Sequence, residues 1–262
     1  MSDILQIDNL SKYFGGLAAV SNCSLKIKEG SITGIIGPNG SGKTTLFNLI
    51  AGNLKSSEGK VLFKNENITD VPSHELFSKG LLRTFQIAHE FTNLTVLENL
   101  MMVPGNQFGE KLTNVFLNSK VIKKQEEEIK NKALSVTEFL NLKHLANEIA
   151  GNLSGGQKKL LELGRTMMVE ASLVLLDEVG AGVNRTLLKD LGSAILRLNK
   201  ERGYTFCMIE HDMDFISRMC DPVIVMSEGS VLFEGTSQEV KKNEKVIDSY
   251  LGRANLKNKD SN

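Results

Sequence analysis

The chain has 262 residues, 41% of them hydrophobic, and balances 31 basic against 31 acidic side chains for a formal net charge of +0. That length and apolar content allow one large domain with a sizeable core, and the charge balance argues against bulk attraction to nucleic acid or a polybasic membrane anchor. No apolar run reaches the roughly 18–20 residues that span a bilayer, and MSDILQIDNL lacks the basic and apolar regions of a secretory signal; the expectation is a cytoplasmic chain that another chain must hold at any membrane.

Leu5 and Ile7 alternate with polar residues, as do Cys23, Leu25 and Ile27, which predicts half-buried antiparallel strands. Residues 31–36 form a short apolar run that reads as a buried strand. From Lys43 to Ala51, Leu46, Phe47, Leu49 and Ile50 recur at helical spacing, and Gly52 is placed to end that helix. Val61 and Phe63 resume strand alternation. From about Val96 to Arg165 the pattern is mostly helical. Glu126 and Glu128 there stand four residues before Lys130 and Lys132, as on an exposed helix face.

Strand character returns with the apolar runs at 173–176, 204–209, 222–226 and 230–233. Apolar runs alternating with helical stretches predict an α/β fold with a parallel sheet covered on both faces. Beyond Gly252 the chain is rich in Lys and Asn without an apolar pattern, and residues 253–262 are expected to be a disordered tail. Cys23, Cys207 and Cys220 lack paired metal-ligand spacing and read as reduced, buried small hydrophobes.

The strongest chemical signal is GPNGSGKT, comprising Gly37, Pro38, Asn39, Gly40, Ser41, Gly42, Lys43 and Thr44, followed by Thr45. It fits the phosphate-loop pattern and lies between a buried strand and an amphipathic helix, the context the motif requires. The glycines let backbone N–H groups curl around phosphate oxygens, and the helix start adds partial positive charge. Lys43 is placed to reach the β and γ phosphates and Thr44 to ligate Mg²⁺. Asp177 and Glu178 close a buried apolar run. Beside a phosphate loop, one carboxylate there can hold Mg²⁺ and the next can polarise the attacking water. LSGGQ, residues 153–157, opens a helical stretch, so that Ser154 and the N–H groups of Gly155 and Gly156 form a second anion site. One chain does not easily fold this site onto its own phosphate loop, whereas two chains facing head to tail can.

In these motifs the chain resembles the ATP-binding subunits of ABC transporters, over about residues 3–252. Phosphate loop, glutamine loop, LSGGQ, strand with Asp-Glu and a histidine switch follow in that family's order. The resemblance implies a P-loop NTPase cassette with a RecA-like core, an antiparallel β subdomain and a helical subdomain at about residues 90–165. It implies that Gln86, in RTFQ, touches Mg²⁺ and the attacking water, that Asp177 holds the magnesium, that Glu178 is the catalytic glutamate, and that His211, in IEHD, contacts the γ-phosphate. Ser154, Gly155, Gly156 and Gln157 would close on ATP, and Phe14, next to Tyr13, matches the aromatic that stacks on adenine.

Within the family, GLLRTFQIAHEFTNLTVLENLMMV and EVKKNEKVIDSYLG are most similar to subunits of branched-chain amino acid importers, whose layout is shared by importers of urea and short amides. The likeness implies ATP and Mg²⁺ as ligands, a second and different ATPase chain in a head-to-tail dimer, two transmembrane permeases, an indirect link to a substrate-binding protein, no nucleic-acid partner, and a peripheral place on the cytoplasmic face of the cell membrane. Two positions depart from the family pattern: Val179 stands where proline is common and Asn184 where aspartate is usual. They leave open a regulatory cassette that binds ATP without turnover. The single set of motifs and the absence of a heptad run argue against an ABC ATPase acting on ribosomes or DNA.

Overall fold

In a computed structural model of the protein, residues 2–84, 91–105, 107, 119–169 and 171–257 are described. They divide into two compact units. The first takes in the chain up to Arg83, the segment Ser172–Gly180 and everything from Leu196 onward; the second is Thr84–Ala171 with Ala181–Ile195.

The first unit holds two sheets. β1 (Asp3–Phe14) and β2 (Leu17–Lys28) pair antiparallel, with Ile7 opposite Leu25 and Leu10 opposite Cys23. β4 (Glu58–Phe63) lies antiparallel on the other side of β1 and carries the two-residue β5 (Glu66–Asn67) at its edge. The alternation of Leu5 and Ile7 thus buries one face of a four-stranded antiparallel sheet.

The second sheet has six strands in the order β10-β9-β3-β8-β7-β6. β3 (Ile32–Ile36), β7 (Leu173–Asp177) and β8 (Thr205–Ile209) are buried at every position. They pair parallel with their neighbours, including β6 (Leu81–Arg83) and β9 (Val223–Ser227), while β10 (Ser230–Gly235) adds an antiparallel edge. Continuous apolar runs are what strands covered on both faces require. β6 was not expected from sequence: three residues, LLR, give too short a pattern to distinguish. Phe47 of α1 (Lys43–Ile50) packs in one core with Leu5, Phe63, Ile35 and Leu175, so that the first helix joins both sheets. Outside the strands, α2 (Ser73–Ser78) precedes β6.

The second unit is helical among its described residues: α3 (Val96–Met101), α4 (Ser119–Phe139), α5 (Gly155–Met167) and the start of α6 (Arg185–Arg202). The pairing of Glu128 with Lys132 does not form. Glu128 lies 3.9 Å from Lys124, while Lys132 Nζ donates to the Met168 carbonyl at 3.0 Å, one of the acceptors that a helix end leaves unpaired. In the first unit α7 (Met213–Met219), α8 (Ser237–Lys242) and α9 (Glu244–Lys257) are the remaining helices among the described residues. α9 does not stop at Gly252 but runs to Lys257. An interior glycine costs a helix only about 1 kcal/mol, and Arg253, Ala254, Leu256 and Lys257 all favour helix.

Candidate functional site

The phosphate loop is shaped by its own backbone. Gly40 and Gly42 have φ of 76° and 97°. At Gly42 an added Cβ would lie 2.4 Å from the Ala19 carbonyl oxygen, so glycine is required both for the dihedral and for the close approach. The Ser41 N–H donates to the Pro38 carbonyl at 3.1 Å, and the Ser41 carbonyl accepts from the Gly229 N–H at 3.1 Å. Lys43 is buried, and its Nζ donates to the carbonyls of Gly37 (2.8 Å) and Pro38 (3.1 Å), curling the ammonium back across the loop.

A cavity of about 300 Å³ opens above this loop, lined by Asn39, Gly40, Ser41, Gly42, Lys43, Thr44, Thr45, Glu178 and His211. Two separated parts of the sequence therefore meet over the phosphate loop. His211 Nε2 lies 2.9 Å from Glu178 Oε1. Glu178 adopts a left-handed φ of 50°, sparsely populated by non-glycine residues, and its N–H donates to the Ile209 carbonyl at 2.9 Å.

Two charged residues that sequence reasoning assigned no role are built into the same region. Arg83, at the end of β6, donates from Nη2 to Asp177 Oδ2 and from Nη1 to Asn48 Oδ1, both at 2.6 Å, while its buried Nε has no partner. It ties the buried Asp177 to α1, the helix of the phosphate loop. The signal was present in the string RTFQ, but an arginine there announces nothing until β6 is seen beside β7. Glu210 is 5% exposed. Its Oε1 accepts from the Gly180 N–H at 2.7 Å and its Oε2 from the His211 N–H at 3.3 Å. Burial pushes its carboxyl above the usual range, opposed by those two hydrogen bonds.

Gln86, Phe14 and the LSGGQ residues are not among the described residues that line this cavity. Gln86 falls outside the described residues. Phe14 is half exposed at the β1–β2 hairpin, with Lys12 Nζ 5.3 Å over its ring, and does not line the cavity. Ser154, Gly155, Gly156 and Gln157 belong to the second unit. Ser154 is the N-cap of α5 in a reciprocal capping box: its N–H donates to Gln157 Oε1 at 2.9 Å and its Oγ accepts from the Gln157 N–H at 3.4 Å. The Gly155 and Gly156 N–H groups, at the first two helical positions, have no partner within the helix and are the donors available to an anion. A Cβ on Gly156 would lie 2.4 Å from Leu187 Cδ1, so glycine lets α6 pack against this helix start. Asn184 caps α6 through Oδ1, which accepts from the Leu187 N–H at 2.9 Å. Asparagine serves that cap as well as aspartate does, so the departure at this position keeps the helix start intact.

A phosphate loop between a buried parallel strand and a helix, with a carboxylate and an imidazole facing it, defines a nucleotide-binding P-loop ATPase cassette. A family model described as ABC transporter matches residues 20–181, and one described as branched-chain amino acid ATP-binding cassette transporter matches residues 230–254. The chain is 44% identical over 249 residues to the probable branched-chain amino acid transport ATP-binding protein LivG of Archaeoglobus fulgidus, covering 95% of both chains. It is 34% identical over 251 residues to the high-affinity branched-chain amino acid transport ATP-binding protein LivG of Escherichia coli, covering 96% of this chain and 98% of that one. Among solved structures, an ATP-binding cassette of an ABC transporter in its ADP conformation superposes with a TM-score of 0.82 at 39% identity, covering 96% of this chain and 100% of the other. A bacterial ABC transporter cassette solved as a dimer gives 0.71 at 27% identity, covering 89% and 98%. The chain belongs to the ABC transporter family as its ATP-binding, ATP-hydrolysing cassette. No helix among the described residues is long and apolar enough to cross a membrane.

Proposed function

We propose that the chain hydrolyses ATP to drive an importer of branched-chain amino acids, with Glu178 positioning the attacking water. The observation that carries this reading is the Glu178–His211 contact of 2.9 Å within the cavity lined by the phosphate loop. The names of its relatives and the match at residues 230–254 support the cargo.

Lys43 supplies charge where phosphate enters. Its ammonium, now held by the Gly37 and Pro38 carbonyls, exchanges those acceptors for β- and γ-phosphate oxygens, while the loop N–H groups cradle the rest. Glu178 accepts a hydrogen bond from water and aims it in line with the γ-phosphorus. The water oxygen bonds to phosphorus as the bond to the bridging oxygen breaks, giving ADP and inorganic phosphate. His211 fixes the Glu178 carboxylate and reaches the γ-phosphate. The oxygen donors here suit Mg²⁺, a hard cation that takes one or two carboxylates and keeps several waters. Thr44, which lines the cavity, and Asp177, buried at the end of β7, would hold it with Gln86, and it would neutralise phosphate charge.

A second ATPase chain, placed head to tail, would bring the Gly155–Gly156 helix start of its own LSGGQ onto the bound nucleotide. Phe14 would stack on adenine. Permease subunits would convert closure into a change of access, with the pair of cassettes lying peripherally on the cytoplasmic face of the membrane and a substrate-binding protein delivering the cargo. Uptake of radiolabelled leucine and of urea by cells lacking the chain, restored with wild type or Glu178→Gln, tests the reading. Leucine uptake restored by wild type alone supports it. Loss of urea uptake with leucine unchanged rejects the cargo but keeps the motor, and leucine uptake restored equally by Glu178→Gln rejects the catalytic role.

A further inference from the structure

We infer that Glu210 is a positioning residue for ATP hydrolysis, a buried carboxylate that holds the segment carrying Glu178 against the segment carrying His211. The inference rests on the catalytic reading of Glu178 above.

Glu178 and His211 come from the ends of neighbouring strands, β7 and β8, and each begins a turn that leaves the sheet. Strand pairing fixes the strands only to their last residues; past Asp177 and Ile209 something else must set where the two side chains point. On the β7 side the chain turns sharply, with Glu178 at φ 50°. Two hydrogen bonds from its backbone tie this turn to the end of β8 and the residue that follows: the Glu178 N–H to the Ile209 carbonyl at 2.9 Å, and the Gly180 N–H to Glu210 Oε1 at 2.7 Å. The second is made by a side chain. The same carboxylate turns its other oxygen to the His211 N–H at 3.3 Å, a long and weaker contact. Glu210 thus touches the backbone of both segments and is itself almost wholly buried. A buried carboxyl that only filled space would be a costly choice at this place, since an apolar residue fills space without desolvating a charge. The geometry assigns it the task of holding the 2.9 Å Glu178–His211 contact over the phosphate loop.

Reach, not charge, is what the task requires, and two substitutions separate them. Glu210→Asp keeps the carboxylate but withdraws it by one methylene from Gly180. Glu210→Gln removes the charge and gives up the weak 3.3 Å contact to the His211 N–H, since an amide NH2 cannot accept, but it keeps a carbonyl oxygen at the same reach for the stronger bond from the Gly180 N–H. In vesicles carrying the assembled complex, Glu210→Asp is expected to lower kcat by on the order of ten- to a hundredfold, the scale of an ångström-sized misplacement of a catalytic group. Its KM for ATP, and the affinity of the purified full chain for a fluorescent ATP analogue, should stay within about threefold of wild type, because the phosphate loop is untouched. Glu210→Gln is expected to keep at least about a third of the wild-type kcat, a loss of under 1 kcal/mol in barrier. Wild-type kcat in Glu210→Asp, a loss in Glu210→Gln equal to that in Glu210→Asp, or a matching fall in ATP affinity would each overturn the inference. Glu178→Gln in the same assay separates the two ideas: if it turns over like wild type, the catalytic reading fails, and if it is inactive while Glu210→Asp is normal, only the role of Glu210 fails.

Discussion

The phosphate loop and the turn after β7 face one another across a single cavity, yet they are held in shape by opposite means. The loop is local. Its positive φ angles fall on glycines, its hydrogen bonds run largely between residues three to six apart, and even Lys43 donates to carbonyls within it. The turn is remote. Glu178 holds a left-handed φ without being glycine, and the bonds that keep it there come from Ile209 and from Glu210, 30 residues from its partner Gly180. A cradle made from its own backbone needs particular residues in a row. A turn held by distant acceptors needs particular neighbours in space.

The contrast can be broken or sharpened by substitution. The largest stability effect is expected at Arg83, the remote support of the buried Asp177. Arg83→Met leaves that carboxylate without its cation and should cost about 3–5 kcal/mol in urea unfolding. A loss below about 1 kcal/mol would mean that the ion pair adds nothing to the β6–β7 end. Gly42→Ala tests the local side. Its left-handed φ and the 2.4 Å approach to Ala19 should cost at least about 1–3 kcal/mol, and a fluorescent ATP analogue should no longer bind. Retained binding would show that the loop tolerates a side chain where the backbone geometry forbids one.

Asn184→Ala should cost about 1 kcal/mol through loss of the α6 cap, read as a lower Tm, whereas Asn184→Asp should leave Tm nearly unchanged. The smallest effect is expected at the exposed Lys124–Glu128 pair, where Lys124→Ala should change stability by no more than about 0.5 kcal/mol. The cysteines give an independent readout of burial. Burial pushes the Cys23 and Cys220 thiols up to about 12, so iodoacetamide at pH 8 should label them only on unfolding.

Much of the fold was legible because its signals are periodic and local. Leu5 and Ile7 mark one face of β1, the unbroken apolar run at 173–176 marks β7, and Leu46 to Ile50 mark α1 beside the glycines of the phosphate loop. What was not legible depends on neighbours that the string does not show. β6 is only three residues long and becomes a strand by pairing with β7. Arg83 looks like any cation until that pairing sets it against Asp177. Glu210 reads as a polar residue closing an apolar run until Gly180 is seen to donate to it. The extension of α9 to Lys257 was hidden by Gly252, whose helix penalty is small.

We propose that the carboxylate facing the phosphate loop, and not the loop alone, performs the chemistry. Phosphate release by the assembled complex in vesicles, compared between wild type and Glu178→Gln with binding of a fluorescent ATP analogue measured on the purified chains, tests it most directly. The predicted result is unchanged nucleotide affinity with turnover lower by at least about a hundredfold, the contribution expected of a positioned base. Turnover within about threefold of wild type, in a variant that still binds nucleotide, would contradict it.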